Sequence, residues 1–257
     1  MKTNLLLVIC IVANFGMIWG GEDSTNSLQL LTNVMKRMEN IDLSYVIEME
    51  QSQIGKPDTH RKFLTRVGWS EGNIRQSIRI DYLLPSEMKG VVFWEHRFSD
   101  QSRKRWRTLP VTGKLKELKK SVDKTIKKSG FDFSELELTP QMIEDQNHLL
   151  MGLDSLLGRE MVIIELQDTT SRPKDRETKR LWIDPERFLI MRVVILDNRD
   201  REIKTAECTE VKEIDGKFVY GTVEVHQRKK RQDIVINITD YSFTKIHEPE
   251  IFTPTNQ

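Results

Sequence analysis

Apolar and polar positions alternate along most of this chain, and two interruptions follow a different period. Leu43, Tyr45, Ile47 and Met49 alternate with Val46, Glu48 and Glu50, the spacing of a half-buried strand. Phe63, Thr65, Val67 and Trp69 repeat it, and after Glu71-Gly72-Asn73 so do Ile74, Ile78, Ile80 and Tyr82. Val91–Trp94 and Arg103–Arg107 predict two more strands, the second returning beside the first. The pattern resumes at Met161–Leu166, Thr178–Ile183, Phe188–Leu196, Glu202–Val211, Phe218–Gln227 and Ile234–Ile238. Asp184-Pro185-Glu186 and Asp215-Gly216 supply turns, the latter a strong hairpin signal.

Helical spacing occurs in three places. Leu28, Leu31, Met35 and Met38 predict a helix over 24–39, with Ser24 or Asn26 as its cap. Leu115, Leu118, Val122 and Ile126 form a stripe through 114–128. From Pro140, the residues Met142, Ile143, Leu149, Leu150, Leu153 and Leu157 fall on one broad helical face over 141–157, with Gly158 as its stop. The expectation is α+β, mainly β: a strongly curved antiparallel sheet or incomplete β-barrel of about ten strands. A helical insert over 111–157 would lie within one domain spanning 21–257.

The first twenty residues belong to a different category. Lys2 precedes the apolar run Leu5–Ala13, and Gly20 is a small residue at a cleavage position, as in a secretory signal peptide. The run is short for a membrane span, which takes ~20 apolar residues. Cys10 follows bulky Ile9 and does not resemble a lipidation site. Loss of this segment takes the 40 basic residues to 39, equal to the 39 acidic ones. Only Cys208 would remain of the two cysteines, so core burial rather than a disulfide would have to stabilise the domain. Export predicts a periplasmic location and argues against a nucleic-acid partner.

Charge is balanced in total but not in place. Arg97, Arg103, Lys104, Arg105, Arg107 and the lysines through Lys128 face only Asp100, Glu117 and Asp123. A solvated strand edge and attraction to anionic headgroups both fit that run, since clustered cations near a membrane contribute about 1 kcal/mol each. His60, His96, His148, His226 and His247 show no metal-ligand spacing, and no nucleophile elbow, P-loop or dinucleotide fingerprint occurs. His96 beside Glu95 is the one pair that could be read as acid–base machinery, and a surface strand explains it equally well. No enzyme activity, metal or cofactor is expected.

Ordered short motifs carry a resemblance. Gly130-Phe131-Asp132-Phe133-Ser134 is followed by Leu156-Leu157-Gly158-Arg159-Glu160 and Leu181-Trp182-Ile183-Asp184. Val211–Val219, around Asp215-Gly216, and Ile251-Phe252-Thr253-Pro254 complete the series. In this order they resemble the outer-membrane lipoprotein-sorting protein family, the LolA-like periplasmic lipoprotein carriers. The chain departs from that family at Leu189-Ile190, Tyr220 and the turn Asn198-Arg199-Asp200, which affects turns and strand edges.

The resemblance implies an incomplete barrel with helices on its concave side, around a cavity for acyl chains of a lipoprotein or lipid. It implies no covalent chemistry. On this basis Trp69, Trp94, Met142, Leu149, Leu150 and Leu153 are the expected lipid contacts. Arg103, Lys104, Arg105 and Arg107 are expected to meet headgroups, an inner-membrane transporter or an outer-membrane acceptor. Membrane contact would be transient and the protein a monomer. An envelope-stress sensor or accessory transporter subunit built on the same fold is the alternative.

Overall fold

The computed structural model describes residues 23–70, 72–109, 111–118, 138, 140–168, 176–246 and 248–255. The expected signal peptide, the motif at 130–134 and most of the 114–128 stripe lie outside those residues. Helix α1 (Asp23–Lys36) precedes strands β1 (Leu43–Gln53), β2 (Thr59–Trp69) and β3 (Ile74–Leu84). Strands β4 (Val92–Phe98), β5 (Arg103–Thr108) and the short β6 (Leu115–Glu117) follow. A six-residue helix, α2 (Pro140–Asp145), leads into β7 (Gln146–Leu156) and β8 (Arg159–Asp168). The series ends with β9 (Thr178–Asp184), β10 (Leu189–Leu196), β11 (Glu202–Ile214), β12 (Lys217–Gln227) and β13 (Gln232–Ser242).

All thirteen strands form one curved, unclosed antiparallel sheet in the order β6-β5-β4-β3-β2-β1-β13-β12-β11-β10-β9-β8-β7. The first and last strands therefore pair at its centre, with Ile47 opposite Ile238. Consecutive β6 and β7 lie at its two edges.

Two expectations need correction. About ten strands become thirteen, and the helix over 141–157 stops at Asp145. Leu149, Leu150 and Leu153 lie on strand β7, paired with β8 from Gln146↔Asp168 to Leu156↔Arg159. The misleading period has a local cause. A bulge between Leu150 and Gly152 breaks the alternation, so the leucines fall at a spacing that imitates a helix. Gly152 at φ +130° and the turn pair Leu157 and Gly158, both at positive φ, accommodate a bent hairpin that a helix would not.

Apolar side chains gather on one face across most of the sheet. Leu150, Ile164, Leu181, Val193, Ala206, Val225 and Ile234 stand opposite one another on seven successive strands from β7 to β13. In one buried cluster, Leu31 and Val34 of α1 and Ile143 of α2 pack with Ile164, Leu181 and Val193. A second cluster joins Ile47, Met49 and Phe63 to Val223, Val225 and Ile236. No helix among the described residues is long and apolar enough to cross a membrane.

Candidate functional site

Three features stand out on this frame. The first is the edge beside α1. Among the described residues, strand β7 has a neighbour on one side only, and α1 contacts it. Its Leu149, Met151 and Leu153 are 48 %, 49 % and 50 % exposed, while Leu150 between them packs on the buried α1 cluster. Leu157 in the following turn and Leu28 on α1 are exposed as well. Long apolar side chains on an unpaired strand edge are a surface that soluble proteins usually protect.

The second feature is a basic cluster at the other end of the same face. Leu43, Val67, Ile78, Glu95 and Arg105 stand opposite one another across β1–β5, and Leu43 shares its face of β1 with Ile47 and Met49. Glu95 is buried there. Arg97 Nε lies 2.6 Å from Glu95 Oε1, Arg105 Nε 2.5 Å from Oε2, and Arg103 Nη1 3.6 Å from Oε1. Burial pushes the Glu95 carboxyl up, but the Arg97 and Arg105 guanidiniums together outweigh it and hold the group below its usual value. Arg107, two residues beyond Arg105, shares its face. Three guanidiniums thus converge on one buried carboxylate.

The third feature is the C-terminal segment after β13, which crosses the opposite face of β2–β4. Its Ile246 N–H donates to Asp42 Oδ2 (2.9 Å). The Ile251 carbonyl accepts from Arg79 Nη1 (3.1 Å) and Trp94 Nε1 (3.2 Å). His96 Nε2 donates to the Phe252 carbonyl (2.9 Å), which fixes that nitrogen as the protonated one. The Phe252 ring sits over Gly68, where a Cβ would come within 2.6 Å of it.

The structure distributes the sequence-selected residues unevenly. Trp94 is fully buried beneath the C-terminal segment, on the face away from Glu95. Trp69 closes β2, with its indole Nε1 buried and unbonded among the described residues. Met142 falls on α2, and nothing further is described of its side chain. Arg103 and Arg105 reach Glu95, whereas Lys104 pairs across from His96 and lies 5.7 Å from the Phe98 ring centre. Glu95 and His96 thus point to opposite faces of β4, so they do not meet as an acid–base pair. His60 and His226 are surface partners of Glu48 and Asp233 at 2.7 and 2.8 Å. No group of three or more His, Cys, Asp and Glu among the described residues is placed to hold a metal ion.

Two of the motifs that carried the resemblance, those around Arg159 and Asp184, have structural roles. Asp184 of Leu181-Trp182-Ile183-Asp184 is buried and accepts from Arg159 Nε (2.7 Å) and from the Glu186 and Arg187 amides (3.0 Å each). Burial raises its carboxyl, yet these donors, Arg159 first, bring it below its ordinary value. Arg159 follows the β7–β8 turn, so one carboxylate ties two hairpins together. Trp182 Nε1 donates to Asp154 Oδ2 of β7 (2.8 Å).

A family model described as "Uncharacterized protein" matches residues 75–256, most of the chain. A DUF1329 family protein from Desulfovibrio piger superposes with a TM-score of 0.77 at 16 % identity, covering 92 % of this chain and all of that one. A putative outer membrane lipoprotein-sorting protein domain from Vibrio parahaemolyticus gives 0.69 at 16 %, covering 89 % and 97 %. The chain belongs to the matched family, and its fold is LolA-like. A LolA superfamily protein from Nitrosomonas europaea shares that fold at a TM-score of 0.60 and 12 % identity, covering 90 % of this chain and 97 % of its own. No curated protein sequence matches. The LolA-like sheet here ends in an exposed leucine edge at β7, and its arginine-rich strand β5 lies next to the opposite edge, β6. Two open clefts on its surface, about 480 and 400 Å³, are polar rather than apolar.

Proposed function

We propose that this protein is a periplasmic carrier that shields acyl chains of a lipid or lipoprotein. Half-exposed Leu153 of β7, on the same face as Leu150 and so continuous with the buried cluster beneath α1, carries this reading. An acyl chain would enter between α1 and β7, displacing contacts of Leu150 and covering Leu153, which the bulge returns to the face of Leu150; Leu149, paired with Glu165, projects from the other face. Each buried methylene contributes ~0.8 kcal/mol, so about ten offer roughly 8 kcal/mol before ordering costs are subtracted. That suits capture followed by release. Arg97, Arg103, Arg105 and Arg107, at the far end of the face, would attract an anionic headgroup or an acidic patch on a membrane partner.

The test uses the exported protein. Lipid extracted from it is measured by mass spectrometry, and a fluorescent fatty acid is titrated into the delipidated form. Wild type should hold lipid and bind the probe; Leu153→Asp should weaken probe binding about tenfold with an unchanged circular dichroism spectrum, and Leu149→Asp, on the other face, should not weaken it. No lipid and no probe binding by wild type would overturn the proposal.

A second reading rests on the same edge. The side of β7 left unpaired among the described residues could accept an extended peptide as an added strand, as in β-augmentation. Binding of the protein to an inner-membrane transporter without any lipid would favour it.

A further inference from the structure

The polar cleft between the C-terminal segment and β1–β3 lies on the face opposite the acyl site and has a different chemistry. Register places Ser242, Ser44, Arg66, Arg79 and Trp94 in one row across β13, β1, β2, β3 and β4. Paired residues of a sheet project to the same side, so hydroxyls and guanidiniums stand side by side. The C-terminal segment adds Thr244 and Lys245 as the facing wall. The open cleft has a volume of about 480 Å³.

Arg79 is fully engaged. Its Nε and Nη2 hold Asp81 at 2.7–3.1 Å, its Nη1 donates to the Ile251 carbonyl, and its Cζ lies 5.8 Å from the Trp94 ring centre. It acts as a strut. Arg66 differs. Its Nη1 donates to Asp81 Oδ2 at 2.7 Å, which anchors one corner of the guanidinium. Its Nε and Nη2 have no partner among the described residues, and neither does the Lys245 ammonium or the Ser44 hydroxyl. Asp81 is already shared by two arginines, so it does not neutralise the cleft. Three cationic side chains against two carboxylates, Asp81 and Glu248, line it.

We infer that this cleft binds a phosphate group. A guanidinium anchored at one corner with its Nε–Nη2 edge open, an ammonium from the facing wall and hydroxyls beside them approach from several directions. That arrangement suits the oxygens of a tetrahedral phosphate better than the two coplanar oxygens of a carboxylate. The volume exceeds a single phosphate and leaves room for the rest of a phosphoester. The group could come from a soluble phosphate ester or from a phospholipid headgroup.

Calorimetric titration with inorganic phosphate and with glycerol phosphate addresses the soluble source. Flotation with phosphatidylcholine vesicles containing phosphatidic acid, against phosphatidylcholine alone, addresses the lipid. Either source gives binding that weakens as salt rises, and Arg66→Gln should weaken it about tenfold or more. Lys245→Ala, an exposed change that leaves the fold intact, should weaken it severalfold. Soluble binding assigns a free ester, and binding only to phosphatidic acid vesicles assigns a headgroup. No binding to either, or full binding by both variants, overturns the inference. The fatty-acid titration with the Leu149 and Leu153 variants reads the acyl site separately, so either proposal can fail alone.

Discussion

Glu95 and Cys208 show how burial acts on two ionisable groups with opposite results. Both are less than 5 % exposed. Glu95 stays ionised because Arg97 and Arg105 counter its desolvation and lower its pKa below 4.5 in the folded state. Its contribution to stability is present above the unfolded value near 4.5 and is lost as pH falls through the lowered folded value. Glu95→Gln should therefore cost about 3 kcal/mol near neutral pH and flatten the acid limb of stability against pH, as read by urea unfolding across that range. Cys208 has no comparable cation, and burial pushes its thiol up to about 11. Iodoacetamide should modify it slowly in the native protein and at once in urea, giving one alkylated site by mass spectrometry in the chain from residue 21 onward.

At the level of elements, most strands were legible because half-burial writes itself into a period of two. What misled was the exception. The Met151 bulge in β7 turned a strand into an apparent helix, and the three residues of β6 were hidden inside a Lys-rich amphipathic stripe. Sites were less legible than strands, since their parts come from separate strands joined only by register. The basic run at 103–107 was visible, but its organiser, Glu95, was not. Trp94 looked available to a ligand because the segment that buries it lies far along the chain. Arg66, Asp81 and Arg79 were unremarkable in their own strands. The seating of that C-terminal segment is itself testable. Gly68→Val would drive a methyl into the Phe252 ring, and Phe252→Ala would empty the seat at a cost of about 3 kcal/mol. Both should accelerate proteolysis after β13 while leaving far-ultraviolet circular dichroism nearly unchanged.

Seen whole, the molecule is two meanders, β1–β6 and β7–β13, joined along β1 and β13. Its leucine edge and its arginine-rich strand lie at opposite ends of one sheet. A carrier of this form would place apolar and anionic parts of a ligand far apart. The central seam has a further consequence, for folding order. A chain emerging from its N-terminus completes the first meander early, but β1 has no central neighbour until β13 arrives last. Closing so long a loop is entropically costly, which makes this topology slow to fold and leaves an open strand edge while it waits. Truncation just before Gln232 should make that wait permanent: the shortened chain is expected to aggregate on refolding and to lose its single cooperative unfolding transition. The fold is fastened by its own two ends, and assembly finishes in the middle.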